Sequence, residues 1–430
     1  MRGLIQWVMK TGDTVKLVLK SGEEFIGAFI PSHEVGVVIL KLKDGYNIAF
    51  SKSNVKSMRV VHGYKPRGVS QRCSFKQNPK LPKVAILHTG GTIASKVDYE
   101  TGGVKALFSA GELLGMFPEL YNIARIESIQ IMNVLSENLE FEHYNKIANE
   151  IKALVKSSAG VIVTHGTDTM HYTASALSFA LENLAIPVVL VGSQRSSDRG
   201  STDSALNIIN AAHFITKGDY AGVGICMHAT TNDEDCFVLK PHNTRKMHSS
   251  RRDAFRPINT LPLAIVNYKQ GKLKMLSQDY PKKSKASLKL KGFNPKLKLG
   301  LLKFRPGLNP EELLAYKGYD GLVIEGSGFG HINLEKPGIK DAIRQLTKKI
   351  PVVMTTQCIY SRVNLKIYST GRELLKLGVI PNEYGLTPET AYIKLAWLLS
   401  NYPKQKIRGL FNQDFRGENI TRITEQAFLY

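Results

Sequence analysis

The stretch VIVTHGTDTMHYT, Val161–Thr173, decides the fold. Val161, Ile162 and Val163 are apolar and β-branched, the composition of a strand buried on both faces. The chain then turns sharply through Thr164, His165, Gly166, Thr167 and Asp168. A helical period follows, with Leu177, Ala180, Leu181 and Leu184 predicted on one face. Strand, polar turn and helix is the repeating unit of a parallel α/β sheet. In such a sheet ligands bind beyond the carboxyl ends of the strands. This turn places two hydroxyls and a carboxylate at that point. Upstream, Val84–Leu87 reads as a second strand, followed by HTGGTIAS with Thr89, Thr92 and Ser95. Two hydroxyl-rich glycine loops at neighbouring strand ends imply one shared site.

The same alternation extends in both directions. Further strands are expected at Ile126–Ile131, Val188–Val191 and Gly224–Met227, and helices at Ala110–Gly115, Glu142–Lys156 and Thr202–Phe214. Residues 83–300 therefore form one α/β domain with a parallel sheet covered by helices. Pro187 enters its strand at the first residue, where a missing N–H is tolerated. Residues 301–430 form a second, smaller α/β domain and a tail. Its strands are Gly321–Glu325 and Pro351–Thr355, and a helix over Glu389–Leu399 opens with Thr387-Pro388. In the tail, Leu410, Phe411, Phe415 and Phe428 predict docking onto a surface.

In front, residues 1–62 carry five short strand-like runs separated by turn signals, among them the hairpin signal Asp44-Gly45. So many strands in so few residues predict a small β-barrel. The pattern VKLVLKSGEEFIGAFI is similar to Sm-like and SH3-like barrels, which serve RNA or partner proteins. Residues 63–82 have no hydrophobic period, are rich in Lys and Arg, and hold no acid, which reads as a basic linker.

The chain has 430 residues with 58 Lys and Arg against 36 Asp and Glu, a formal charge of +22. Such a balance favours a polyanionic partner, nucleic acid first; a merely solubilising lysine-rich surface is the alternative. The bias is uneven. The first 80 residues carry 14 Lys or Arg against five acids, and Lys274–Arg305 has ten against the single acid Asp279. A lysine-protected sheet edge would account for that second passage equally well. No apolar run reaches the roughly 18 residues of a membrane span, and the first residues hold no signal-peptide apolar core. Cys73, Cys226, Cys236 and Cys358 are scattered without metal-ligand spacing, and the histidines form no metal motif. A cytoplasmic chain with free thiols and no metal is expected. Neither glycine loop has phosphate-loop spacing, so no ATP site is visible.

With HTGGTIAS and THGTDTM together, the chain resembles the L-asparaginase family of amidohydrolases. VLSENLEF, PVVLVGSQRSSDRGSTDSALNI, KMHSSRRDAF and GLTPETAYIKLAWLL continue the likeness through nearly all of residues 83–399. The fold so implied is an asparaginase-like two-domain parallel-sheet core behind a small SH3-like or Sm-like barrel. The barrel, basic linker and long tail resemble the D-subunit branch of that family, found in archaeal glutamyl-tRNA(Gln) amidotransferases.

The resemblance implies roles. Amide hydrolysis needs a nucleophile, a route for protons and donors for the oxyanion. Thr92 would be the nucleophile and form an acyl-enzyme. Thr167, Asp168 and Lys246 would form a second triad, in which Lys246 takes a proton from Thr167. Gly91, with Gly90, would bring backbone N–H groups to the substrate carbonyl. Asp168 and Glu137 would meet the substrate ammonium and Ser136 its carboxylate. Tyr99, in the same loop as Thr92, would assist proton transfer. Against these stand plainer roles: Thr169 as a helix N-cap, a lone Asp as a turn residue, and His165 as a structural group. In the family a neighbouring protomer closes the site, through contacts expected at GSGFGHIN and Glu373.

The function so implied is that of a glutaminase component, releasing ammonia from glutamine or asparagine for the amidation of Glu-tRNA(Gln). A homodimer of this chain bound to an E-type partner, two of each, is expected, with tRNA(Gln) held by the complex. ATP and Mg belong to the partner, and no cofactor to this chain. The alternatives are a free-standing L-asparaginase with an accessory barrel, and an RNA-binding scaffold with an inactive amidohydrolase core.

Overall fold

The structure is a computed structural model that describes residues 9–32, 34–42, 46–63, 77–91, 93, 95–97, 104–106, 115–195 and 201–428. Thr92, Tyr99, Cys73, the Asp44-Gly45 turn and most of the expected Ala110–Gly115 helix lie outside those residues, as does most of the basic linker.

The N-terminal unit is a five-stranded antiparallel sheet in the order Asn47–Ser51, Val37–Lys41, Glu24–Ile30, Thr14–Leu19, Val55–His62. Alternation drives it. Val15, Leu17, Val38, Leu40, Phe50, Val55 and Met58 point to one side and form its own small core. The Val37–Lys41 and Asn47–Ser51 strands pair antiparallel across the Asp44-Gly45 position. Where the linker ends, the Gln77 side chain pairs with Ile126 as a strand would. Its Nε2 donates to Ile126 O at 3.0 Å, and its Oε1 accepts from Ile126 N at 2.5 Å.

The main sheet has eight strands, in the order Lys272–Met275, Ala264–Asn267, Cys236–Leu239, Val223–His228, Val188–Val191, Gly160–Thr164, Lys83–His88, Arg125–Gln130. The five from Arg125–Gln130 to Val223–His228 are parallel. The other three run antiparallel, so the sheet is mixed rather than wholly parallel. Among the described residues no crossover helix lies between those strands, and apolar composition alone does not encode strand direction. At the outer edge Lys272 and Lys274 face solvent while Leu273 and Met275 turn inward. At this strand the lysines thus guard an open edge, one of the two readings of the basic passage that begins here.

The helix after the central strand runs Met170–Ala180 and stops before Leu181 and Leu184. Leu181 pairs with Leu290 in a two-residue ladder, and Asn183 turns the chain with φ 59°. The one-sided pattern predicted for this helix is not what decides it, because almost every residue of the helix is buried. It lies between the sheet and the helix Pro388–Asn401: Phe179 stacks on Trp397 at 5.5 Å, and Ser175 Oγ lies 3.1 Å from Thr390 Oγ1. By contrast, Phe141–Leu154 is an ordinary surface helix. It buries Tyr144, Ile147, Ala148, Ile151 and Leu154, and a capping box of Glu140 and His143 opens it.

A second, parallel four-stranded sheet holds Leu299–Lys303, Gly321–Gly326, Val352–Thr356 and Ile380–Pro381. The helix Pro388–Asn401 joins the two sheets into one core, with Val323, Val353, Ala391, Leu395 and Trp397 packed alongside Leu177 and Phe179. The tail docks as its aromatics suggested. Phe411 is wholly buried, Phe415 meets Trp397 edge-on at 5.1 Å, and Phe428 lies against Tyr360 at 5.4 Å. No helix among the described residues is long and apolar enough to cross a membrane.

Candidate active site

Four loops meet at the carboxyl ends of the parallel strands, and glycines let them touch. Gly91 has φ 83°, and a Cβ there would lie 2.6 Å from Gly166 N and 2.8 Å from Gly166 Cα. At Gly90, φ 122°, a Cβ would strike Val134 O at 2.6 Å; at Gly166 it would strike Ser136 Cβ and Oγ at 2.9 Å. At Gly192 it would meet Thr167 Cγ2 at 2.7 Å. Only a residue without Cβ permits such approaches. They bring the loop leading to Thr92, the Ser136 loop, the Thr167 loop and the loop after Val188–Val191 into direct contact.

The strand ends are fixed by buried polar pairs. Thr89 Oγ1 donates to Thr164 O at 2.8 Å. His88 lies between Thr164 Oγ1 at 3.0 Å and Ser128 Oγ at 2.9 Å, and burial lowers its pKa to about 4. His165 is likewise buried and lowered to about 4. Its Nδ1 lies 2.6 Å from Gly166 O and so carries the proton, which leaves Nε2 to accept from Thr173 Oγ1 at 2.8 Å. His165 therefore ties turn to helix, the structural part expected of it. Thr169 stands at the N-cap position but makes no cap bond. Its hydroxyl instead donates to Ser136 O at 2.5 Å, joining two loops of the site.

At the centre, Lys246 Nζ donates to Thr167 Oγ1 and to Asp168 Oδ1, each at 2.8 Å. The lysine side chain is 9% exposed and the aspartate 66%, so the lysine nitrogen is shielded while the carboxylate opens to solvent. Thr167 Oγ1 also lies 3.5 Å from Gln194 Oε1. Of the sequence-predicted residues, the structure thus brings Thr167, Asp168 and Lys246 into mutual contact. Ser136 is buried against Gly166, Glu137 is exposed beside it with Oε2 3.5 Å from Ser136 Oγ, and Gly91 abuts Gly166. No group of three or more His, Cys, Asp or Glu among the described residues is placed to hold a metal ion.

Two groups carry no mark in the sequence. Asp203 is fully buried and accepts from Ser193 Oγ and from the backbone N–H of Gln194 and Arg195, so it shapes the loop that carries Gln194. Arg245 pairs with Glu389 of the distant helix Pro388–Asn401 at 3.1 Å. A Glu in a first helical turn reads as a helix-dipole residue, so nothing local singles out Glu389 as a partner of the site.

Comparison with known proteins gives first the class. Residues 83–280 match the family described as "Asparaginase, N-terminal", and residues 298–411 match "Glutaminase/Asparaginase C-terminal domain". The solved thermostable L-asparaginase from Thermococcus kodakarensis superposes with a TM-score of 0.69 at 32% identity, covering 79% of this chain and 99% of that one. The L-asparaginase I from Vibrio cholerae gives 0.69 at 25%, covering 80% and 100%. This is an asparaginase-type amidohydrolase fold. The part not covered by asparaginases then narrows it, since residues 9–61 match a "GatD N-terminal domain". The D subunit of the glutamyl-tRNA(Gln) amidotransferase of Pyrococcus furiosus is 43% identical over 406 residues, 91% of each chain. That of Pyrococcus abyssi is 42% identical over 430 residues, 97% of this chain and 96% of its own. The chain belongs to the family of glutamyl-tRNA(Gln) amidotransferase D subunits.

Proposed function

We propose that this chain is the glutaminase of a tRNA-dependent amidotransferase, splitting the side-chain amide of glutamine or asparagine and supplying ammonia for the amidation of Glu-tRNA(Gln). The observation that carries this is the double contact of Lys246 Nζ with Thr167 and Asp168, one backbone contact away from the loop that leads to Thr92. A hydroxyl, a lysine and a carboxylate in contact can move protons without a metal.

In this reading Thr92 Oγ attacks the amide carbon, and its proton passes by way of Tyr99 to the amide nitrogen. Backbone N–H groups of the Gly90-Gly91 loop take the charge on the carbonyl oxygen. The C–N bond breaks, ammonia leaves with the former threonine proton, and a threonyl ester remains. Water then attacks the ester, giving up its proton through Thr167 and Lys246, and restores Thr92 with release of glutamate or aspartate. Asp168 meets the substrate ammonium and holds Lys246; Ser136 and its loop receive the carboxylate, with Glu137 beside the ammonium.

Ammonia needs an activated acceptor, so the reading includes a partner of the E type that binds ATP, Mg and tRNA(Gln). It also includes a dimer of this chain, in a heterotetramer of two D and two E chains. The test is Thr92→Ala, assayed for ammonia release, with circular dichroism to check the fold. Loss of a nucleophile should lower turnover by at least about a thousandfold. A folded variant that keeps more than about a tenth of wild-type turnover removes Thr92 from this role.

A further inference from the structure

Lys246 sits on a slender support. Among the described residues its strand, Thr244–Lys246, pairs only with Phe255–Pro257, in a two-stranded ribbon outside the main sheet. What steadies the segment from Pro241 to Lys246 comes largely from elsewhere in the fold. Pro241 O accepts from Ser175 Oγ at 2.9 Å, and His242 O accepts from Thr390 Oγ1 at 2.8 Å. Arg245 Nε lies 3.1 Å from Glu389 Oε1. Glu389 and Thr390 both belong to the first turn of the helix Pro388–Asn401. Thr387 caps that turn, accepting from Thr390 N at 3.2 Å, and Pro388 pre-sets it.

The pair is built into the interior. The Glu389 side chain is 8% exposed and the Arg245 side chain 30%. Among the described residues Glu389 Oε2 has no hydrogen-bond partner, so the carboxylate holds the guanidinium through one oxygen. Its charge is felt by His171, Tyr172 and Glu325. A carboxylate left so bare in the interior is costly unless it is paired, and Arg245 is the cation it meets. Adjacent residues of a strand point to opposite sides, so with Arg245 drawn toward Glu389, Lys246 is turned toward Thr167 and Asp168.

We infer that the turn Thr387–Thr390 is a clamp on the lysine-bearing ribbon, and that Glu389 is a positioning residue for amide hydrolysis acting through Arg245. The helix that closes the second sheet thereby sets the reach of Lys246. This rests on the proton-transfer role of Lys246 given above.

The experiment compares Lys246→Ala, Glu389→Gln, Glu389→Asp and Thr390→Val in the full-length chain, by steady-state glutaminase kinetics and thermal melting. A displacement of about an ångström at a catalytic group costs on the order of tenfold to a hundredfold in rate. Glu389→Gln is expected to lower kcat by that much with KM within about twofold, because the substrate-binding loops are not part of the clamp. Glu389→Asp, which keeps the charge, should recover part of the loss, and Thr390→Val should show the same kcat-only signature more weakly. Wild-type kcat in Glu389→Gln beside an inactive Lys246→Ala overturns the clamp and spares the lysine. Activity in Lys246→Ala overturns the underlying reading instead. A fall in activity that only tracks the folded fraction, or that appears equally in KM, also overturns the clamp.

Discussion

Gly91 and Gly166 meet backbone to backbone, so close that a Cβ on Gly91 would stand 2.6 Å from the amide nitrogen of Gly166. The two loops that the sequence marks as hydroxyl-rich are therefore one surface, and the contact leaves no room for a side chain. Backbone cannot move aside as the end of a flexible side chain can. Gly91→Ala should cost about 1–3 kcal/mol through its φ of 83° and the clash, and should abolish turnover by parting the loops. Gly271, with φ 62° and nothing within 4 Å of its Cβ position, is the control. Gly271→Ala should melt slightly lower and keep full activity. Wild-type turnover in Gly91→Ala would show that loop contact is not needed.

Lys246 and Asp168 share one hydrogen bond but face different surroundings, so their losses should be distinguishable. The lysine is shielded and touches Thr167; Lys246→Ala should mainly lower kcat. The aspartate is open to the substrate side and holds the lysine; Asp168→Ala should raise KM as well as lower kcat. Identical kinetic signatures in the two variants, or wild-type values in either, would contradict this division of work.

Lys394 and Glu418 form a fully buried ion pair at 2.5 Å that fastens the tail to the helix Pro388–Asn401. Burial alone would raise the Glu418 carboxyl, but Lys394 and hydrogen bonds, the Arg416 N–H among them, hold it below the ordinary value of 4.5. Its contribution is thus present above the unfolded carboxylate range and is lost as pH falls through the depressed folded value. Asp414 has the opposite sign: burial, then Glu418, raise it, so its protonation comes first and relieves strain. The tail should stay docked through mild acid and detach only below about pH 4.5. Glu418→Gln should cost about 3–5 kcal/mol because it strands a buried ammonium. The double variant Lys394→Met/Glu418→Gln should cost less than either single change. Denaturant midpoints measure all three, and additive losses would argue against the pairing.

If this chain feeds ammonia to a partner, hydrolysis should be slow alone and rise when an E-type partner and glutamyl-tRNA(Gln) are present. The rise requires the partner's bound state to bias the Thr92 loop. With +22 formal charge on the chain, the tRNA-dependent part should weaken steeply as salt increases. Turnover measured with the chain alone, with partner, and with partner plus charged tRNA at two salt concentrations decides it. Full activity of the isolated chain on asparagine, indifferent to all additions, would favour a free-standing asparaginase.

Sequence by itself determined the parts that obey local rules. Alternation placed the strands Thr14–Leu19 and Glu24–Ile30, and apolar β-branched runs placed the buried strands that end in the two glycine loops. Thr387-Pro388 marked the start of the last long helix. Residue type and position marked Thr167 and Asp168 as polar groups in a strand-end loop, whereas Lys246 was singled out by the likeness of KMHSSRRDAF to the asparaginase family. Only the tertiary structure decided what depends on contacts between distant residues. Strand direction beyond Val223–His228 is one such case, since apolar composition is the same for parallel and antiparallel neighbours. The end of the helix at Ala180 is another, because Leu181 was claimed by a ladder with Leu290. The pairing of Arg245 with Glu389 spans 144 positions of the chain, and no local pattern of charge or period can announce a contact of that separation. It exists because burial leaves Glu389 little solvent and Arg245 as its cationic neighbour.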